Sequence, residues 1–201
     1  MIKVLFFDSG NVLVEEGYTP GIAEYEKKHK IEKGKLYLSA HDRPYWKDFT
    51  LGNITEEQYF TSLINDFPGQ LDIAGLKSII YKGFIPNTEL LNFIKTLSNK
   101  FRLGVISNNP KEWFEYCQKE FGWDKLFTVN VISSYLHIRK PNEAIFRKAL
   151  KMAKVKGKEA VYIDDRPDRV EGAKALGMKI LIYQNVEKLK NDLNALINFN
   201  Q

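Results

Sequence analysis

Cysteine is nearly absent from this chain: its 201 residues contain one, Cys117. An internal disulfide is therefore excluded, and a cysteine-based metal centre lacks its ligand set. Cys117 falls in the helix-like segment Trp113-Phe114-Glu115-Tyr116-Cys117 with no catalytic partner beside it, and reads as a buried structural thiol. No stretch reaches the roughly 18 apolar residues of a membrane-spanning helix, and the first residues lack a basic segment leading into a long apolar one. A cytoplasmic protein without membrane contact is expected. Charge of one sign is not massed anywhere. The formal net charge is +5, but the lysines are spread over Lys27-Lys28, Lys148 to Lys158 and Lys188-Lys190. They read as solvated helix faces, which argues against a nucleic-acid partner and suits a phosphorylated small molecule. Internal repeats and low-complexity tracts are also missing.

What is present is a globular composition, 44% hydrophobic and 27% charged, at a length that suits one main domain with an insert. The stretch Val4-Leu5-Phe6-Phe7-Asp8-Ser9-Gly10-Asn11-Val12-Leu13-Val14 organises it. An apolar run closed by turn residues predicts a buried strand of a parallel sheet, with Asp8 at its carboxyl end. Further strands are predicted at 101–106, 128–132, 160–163 and 179–183. Helices are predicted over 87–99, 111–121, 142–155, 169–176 and from 186 to about 197. Ile145, Ala149 and Met152 are spaced as the core face of the helix over 142–155.

Strands alternating with helices imply right-handed βαβ units and a doubly wound parallel sheet. Residues 16–83 read differently: helical, aromatic and poor in strands, with helices over 18–29, 35–39 and 73–82 and another opened by a Thr55/Gln58 capping box. The expected organisation is an α/β core of residues 1–15 and 84–201, with 16–83 inserted as an α-helical cap domain on the ligand side.

The strand ends carry the chemistry. Asp8 ends the first strand, Ser107-Asn108 the second and Asp164-Asp165 the fourth, while Lys140 precedes the helix after the third. In an open parallel sheet these ends border one crevice. Taken singly, each has an ordinary structural reading: a cap, a turn or a surface lysine.

Phe6-Phe7-Asp8-Ser9-Gly10-Asn11-Val12-Leu13, Val105-Ile106-Ser107-Asn108-Asn109, Arg139-Lys140-Pro141-Asn142 and Tyr162-Ile163-Asp164-Asp165-Arg166-Pro167-Asp168 occur in an order that resembles the haloacid dehalogenase-like hydrolase superfamily. Phe49-Thr50-Leu51-Gly52-Asn53-Ile54-Thr55-Glu56-Glu57 resembles the small helical cap of the subgroup whose cap follows the first motif. The resemblance spans nearly the whole chain and implies a Rossmann-like core. It implies a phosphatase for a small phosphorylated metabolite, acting as a monomer or homodimer through an aspartyl-phosphate at Asp8. Mg²⁺ would be held by Asp8, the Gly10 carbonyl and Asp165, with Asp164 as a further or supporting carboxylate. Ser107 and Asn108 would bind the phosphoryl group, and Lys140 would stabilise charge gathered in transfer.

One departure stands out. Most phosphatases of that family carry an acid/base aspartate two residues after the nucleophile, where this chain has Gly10, and a subset that resembles this Asp-x-Gly-Asn-Val form still looks like phosphatases. Two readings follow: a slow or narrow phosphatase with another proton source, or a catalytically weak phosphate-binding or interaction protein. The metal-free haloacid dehalogenase branch fits the paired Asp164-Asp165 less well. His41 and Arg43 in the cap are within reach of the site and His137 lies near its mouth, though each reads first as structural; Arg169 stands where the family commonly has asparagine, which places a cation near Asp164-Asp165.

Overall fold

The N-terminal apolar run becomes the middle strand of the sheet. The computed structural model describes residues 1–198. In chain order its elements are β1 (Val4–Phe7), β2 (Val14–Glu15), α1 (Tyr18–Lys28), α2 (Lys35–Asp42), α3 (Pro44–Leu51), α4 (Glu56–Asp66), α5 (Ile73–Lys82), β3 (Ile85–Pro86), α6 (Thr88–Leu97), β4 (Arg102–Ser107), α7 (Lys111–Glu120), β5 (Val129–Ile132), α8 (Ser133–Leu136), α9 (Glu143–Ala153), β6 (Ala160–Asp164), α10 (Glu171–Ala175), β7 (Lys179–Ile182) and α11 (Val186–Asn198). Short 3₁₀ turns lie at Gly157–Glu159 and Pro167–Arg169.

Five strands pair in the order β5-β4-β1-β6-β7, each neighbouring pair parallel. The chain leaves β1 toward β4 and β5 on one side, then crosses to β6 and β7 on the other. β1 is thus the point where strand order reverses, and its carboxyl end opens on the crevice such sheets use for ligands.

Successive side chains of β1 alternate between the two faces. Leu5 and Phe7 pack with Leu90, Trp113, Phe114 and Leu189 of α6, α7 and α11. Val4 and Phe6 pack with Ile145, Phe146, Ala149 and Ala173 of α9 and α10. Covered on both faces, β1 is fully buried, and each of its phenylalanines contributes about 1.5–3 kcal/mol. The doubly wound α/β architecture is as predicted. Two helix details differ. Ala153, not Met152, completes the buried face of α9, because 145, 149 and 153 stay in line at a four-residue spacing while Met152 rotates out to 43% exposure. The helix expected from Arg169 starts at Glu171, after the 3₁₀ turn.

Residues 16–83 hold five helices. The capping box at Thr55 forms as read: its hydroxyl accepts from the Gln58 N–H at 3.2 Å, and Gln58 Oε1 accepts from the Thr55 N–H at 2.9 Å. Helix α3 was not foreseen; its aromatic residues carry no clear period, and Pro44 at its first turn starts it. Nor was the antiparallel ribbon β2–β3, which joins Val14 to Pro86 and Glu15 to Ile85, since two residues per strand show no alternation. A single apolar cluster runs from Leu5 and Phe7 through Trp113 into Tyr18, Trp46, Phe49 and Tyr59. Tyr18 stacks on Trp46 at 4.5 Å and meets Trp113 at 5.2 Å, so the helical segment lies directly over the α7 side of the crevice.

Candidate active site

Asp8 continues β1 by one residue, its N–H donating to the Ile163 carbonyl at 2.8 Å. One carboxylate oxygen accepts the Ser9 N–H at 2.7 Å, and the other meets Lys140 Nζ at 2.8 Å. Lys140 is only 3% exposed. Its ammonium also donates to Asp164 Oδ2 and to the Tyr162 hydroxyl, each at 2.8 Å. All three donor positions of a buried lysine are therefore in use. Asn108 fixes the backbone of this lysine from both sides. Its Nδ2 donates to the Lys140 carbonyl at 3.1 Å, and its Oδ1 accepts the Lys140 N–H at 2.7 Å. Arg169 Nη1 donates to the same carbonyl at 3.3 Å.

Asp164 is fully buried because it is the last residue of β6. Its Oδ1 accepts the Arg166 N–H at 2.8 Å, while its Oδ2 takes both Lys140 and the Tyr162 hydroxyl. Asp165, one residue on, is half-buried and turned toward Asp8. Oxygens of Asp8, Asp164 and Asp165 lie within 4.8 Å of one another. Burial raises the Asp8 pKa, Lys140 opposes that rise, and Asp164 adds to it. Burial first, then repulsion from Asp8 and Asp164, pushes Asp165 up to about 6. Three carboxylates facing one lysine leave excess negative charge, and hard oxygen donors at this spacing fit a divalent cation such as Mg²⁺.

A cavity of about 120 Å³ opens here. Asp8, Gly10, Ser107, Lys140 and Asp165 line its floor, Arg139, Arg166 and Arg169 its rim, and His41 and Trp46 reach it from the helical segment. The structure thus brings Asp8, Gly10, Ser107, Lys140, Asp164 and Asp165 close together. Asn108 borders the cavity, but its side chain is occupied with Lys140. Of the outlying groups, His41 reaches the cavity. Arg43 instead borders a separate surface groove with Asp42 and Asp66. His137 is exposed and bonded to Asn53 at 3.1 Å. Arg169 pairs with Asp168 at 3.4 Å. Cys117 is buried at the cavity's edge, where burial pushes its thiol up to about 12.

Several residues here escaped the sequence reading: Glu16 on the cavity wall, Tyr162 under Lys140, and Ser133. The Ser133 hydroxyl donates to the Thr50 carbonyl and accepts the Asn109 N–H at 3.0 Å, tying the helical segment to the loop after β4. Each depends on contacts between distant parts of the chain, and no local spacing announces them.

Comparison with known proteins shows the family and the fold. A family model described as haloacid dehalogenase-like hydrolase matches residues 2–177. The chain belongs to the haloacid dehalogenase-like hydrolases. A glyceraldehyde 3-phosphate phosphatase of Pyrococcus furiosus is 29% identical over 212 residues, covering 96% of this chain and 85% of that protein. The drimenol cyclase drtB of Aspergillus calidoustus is 25% identical over 208 residues, 98% of this chain but only 37% of that longer protein. Among solved structures, a family enzyme of Bacteroides thetaiotaomicron in complex with magnesium and inorganic phosphate superposes with a TM-score of 0.81. At 18% identity over 94% of this chain and 99% of that one, this likeness is one of fold.

Proposed function

We propose that this hydrolase is a Mg²⁺-dependent phosphatase for a small phosphorylated metabolite, with Asp8 as its nucleophile. The observation that carries the reading is the Asp8 carboxylate, held 2.8 Å from Lys140 at a cavity that Asp165 and three arginines also line. An anionic phosphoryl group fits the arginine rim, and the phosphatase name of the Pyrococcus furiosus relative points the same way. The cavity volume of about 120 Å³ is small beside the ~300–1,000 Å³ of sites for larger ligands, which favours a small substrate.

Asp8, the Gly10 carbonyl and Asp165 would hold the ion, and Asp164, whose oxygens already have partners, would hold Lys140 in place. When bound, Mg²⁺ would lower the repulsion between carboxylate and phosphoryl oxygens. An Asp8 oxygen attacks phosphorus and forms an acyl phosphate as the alcohol departs; water then releases inorganic phosphate. Lys140 stabilises the charge that gathers on the oxygens around phosphorus, while Ser107 and nearby backbone N–H groups bind the phosphoryl oxygens. The helical segment 16–83 serves as the cap that encloses the substrate.

The rival reading, a phosphate-binding protein without turnover, rests on Gly10. An assay of a phosphometabolite panel with and without Mg²⁺, beside Asp8→Asn, separates the two. Metal-dependent release of phosphate by wild type alone is expected. Equal inertness of both proteins, with a phosphate analogue still bound, defeats the phosphatase reading.

A further inference from the structure

Breaking an alkyl phosphate leaves an alkoxide, which departs readily only if a proton reaches it as the bond breaks. Gly10 has no side chain to supply one. Among the described residues, three with carboxyl groups line the cavity: Asp8, Glu16 and Asp165. Asp8 is paired with Lys140, and Asp165 belongs to the three-carboxylate cluster. Glu16 is the one left without an assignment.

Its place is set by the reversal of the chain after β1. Asn11 adopts a left-handed backbone, φ 56, and its N–H donates to the Val14 carbonyl at 2.7 Å. Asn11 Oδ1 accepts the Glu16 N–H at 3.4 Å. Just before Glu16 the chain is pinned in the β2–β3 ribbon. Just after it, Gly17 lies so close to the end of α5 that a Cβ would come within 2.3 Å of the Ile80 carbonyl oxygen. Glu16 is thus fixed on both sides at the seam where the helical segment leaves the sheet. Its carboxylate has no hydrogen bond or ion pair with the described residues, although it lines the same cavity as Asp8 and Lys140. Burial is the main cause that raises its pKa, and Arg166 opposes that rise. The Tyr18 phenol also feels this carboxylate.

We propose that Glu16 is the proton shuttle of this site, doing from the cap seam what no side chain at position 10 does. The inference rests on the phosphatase reading above. As the Asp8 oxygen bonds to phosphorus and the ester P–O bond breaks, Glu16 gives its carboxyl proton to the departing oxygen. A neutral alcohol leaves, and Glu16 becomes a carboxylate. That carboxylate takes a proton from the water attacking the aspartyl-phosphate. Inorganic phosphate and free Asp8 are released, and Glu16 is protonated again.

The test compares wild type, Glu16→Gln and His41→Gln in Mg²⁺ on two substrates in single-turnover experiments. Glycerol 3-phosphate needs a proton on its leaving group, and p-nitrophenyl phosphate does not. Glu16→Gln is expected to slow cleavage of glycerol 3-phosphate by about 10²–10⁴-fold and release of nitrophenolate by less than about tenfold. The high-pH fall in kcat/KM for the alkyl substrate should vanish with it, and Glu16→Asp should restore part of the rate. A Cβ at Gly10 meets nothing within 4 Å, so Gly10→Asp added to Glu16→Gln has room to supply the missing acid and should recover glycerol 3-phosphate cleavage. Equal effects of Glu16→Gln on both substrates, or no effect on either, overturn the proposal. So does a His41→Gln variant that shows the same selective loss. Wild type no faster than Asp8→Asn on nitrophenyl phosphate would instead bring down the phosphatase reading, and this inference with it.

Discussion

Lys140 is the residue on which the site turns, and its burial makes it costly to alter. Its charge is offset inside the protein by Asp8 and Asp164 at 2.8 Å, with Tyr162 as third partner. Lys140→Met would leave two buried carboxylates without their cation. Loss of one partner of a buried ion pair costs about 3–5 kcal/mol, so urea denaturation should show a drop of that size along with lost phosphate release. Asp165 gives a pH signature. Its folded pKa is about 6 against an ordinary 3.8. Between those values the metal-free folded protein holds more protons than the unfolded chain, so this group lowers stability as pH rises through that window. A divalent cation at the cluster favours the ionised form and reverses the trend. The Mg²⁺-induced rise in Tm should therefore be small near about pH 5, grow toward about pH 7, and shrink in Asp165→Asn.

At the scale of elements, the helical segment is held over the crevice by a few specific joints. Glu56, in the first turn of α4, accepts the Trp113 indole N–H of α7 at 2.7 Å and the Tyr81 hydroxyl of α5 at 2.7 Å, and pairs with Lys77. Glu56→Ala strands the buried Trp113 N–H and should cost about 1–3 kcal/mol, read by chemical denaturation. Thr55→Ala removes the cap one residue earlier and should cost about 1 kcal/mol, a smaller fall in Tm that leaves these joints intact. Gly52 closes α3 with φ 71, and a Cβ there would stand 2.2 Å from the Ser134 carbonyl. That approach is what lets α3 lie against α8 beside the loop after β4.

For the whole molecule, one continuous apolar cluster joins the sheet to the helices, and the cavity sits where that cluster meets the charged strand ends. Trp46 touches both: it is buried against Tyr18 and lines the cavity. Trp46→Ala should lower stability by about 3–5 kcal/mol and also raise KM, a joint effect that a purely structural tryptophan would not produce. Steady-state kinetics beside a denaturation curve would read both.

The sequence alone determined the sheet, because a strand buried on both faces must be a continuous apolar run, and a carboxylate at its end stands out against it. Asp8, Asp164 and Asp165 stood out for that reason, whereas Ser107 and Lys140 were singled out by the order of motifs along the chain. Tertiary structure decided which groups meet. Asn108 turned out to hold the Lys140 backbone 32 residues away, and Tyr162 to sit beneath the lysine. Glu16 joined the cavity through Asn11, the β2–β3 ribbon and the close packing of Gly17 on α5. Such meetings depend on chain reversals and on packing between distant residues, which leave no period or spacing in the sequence to read.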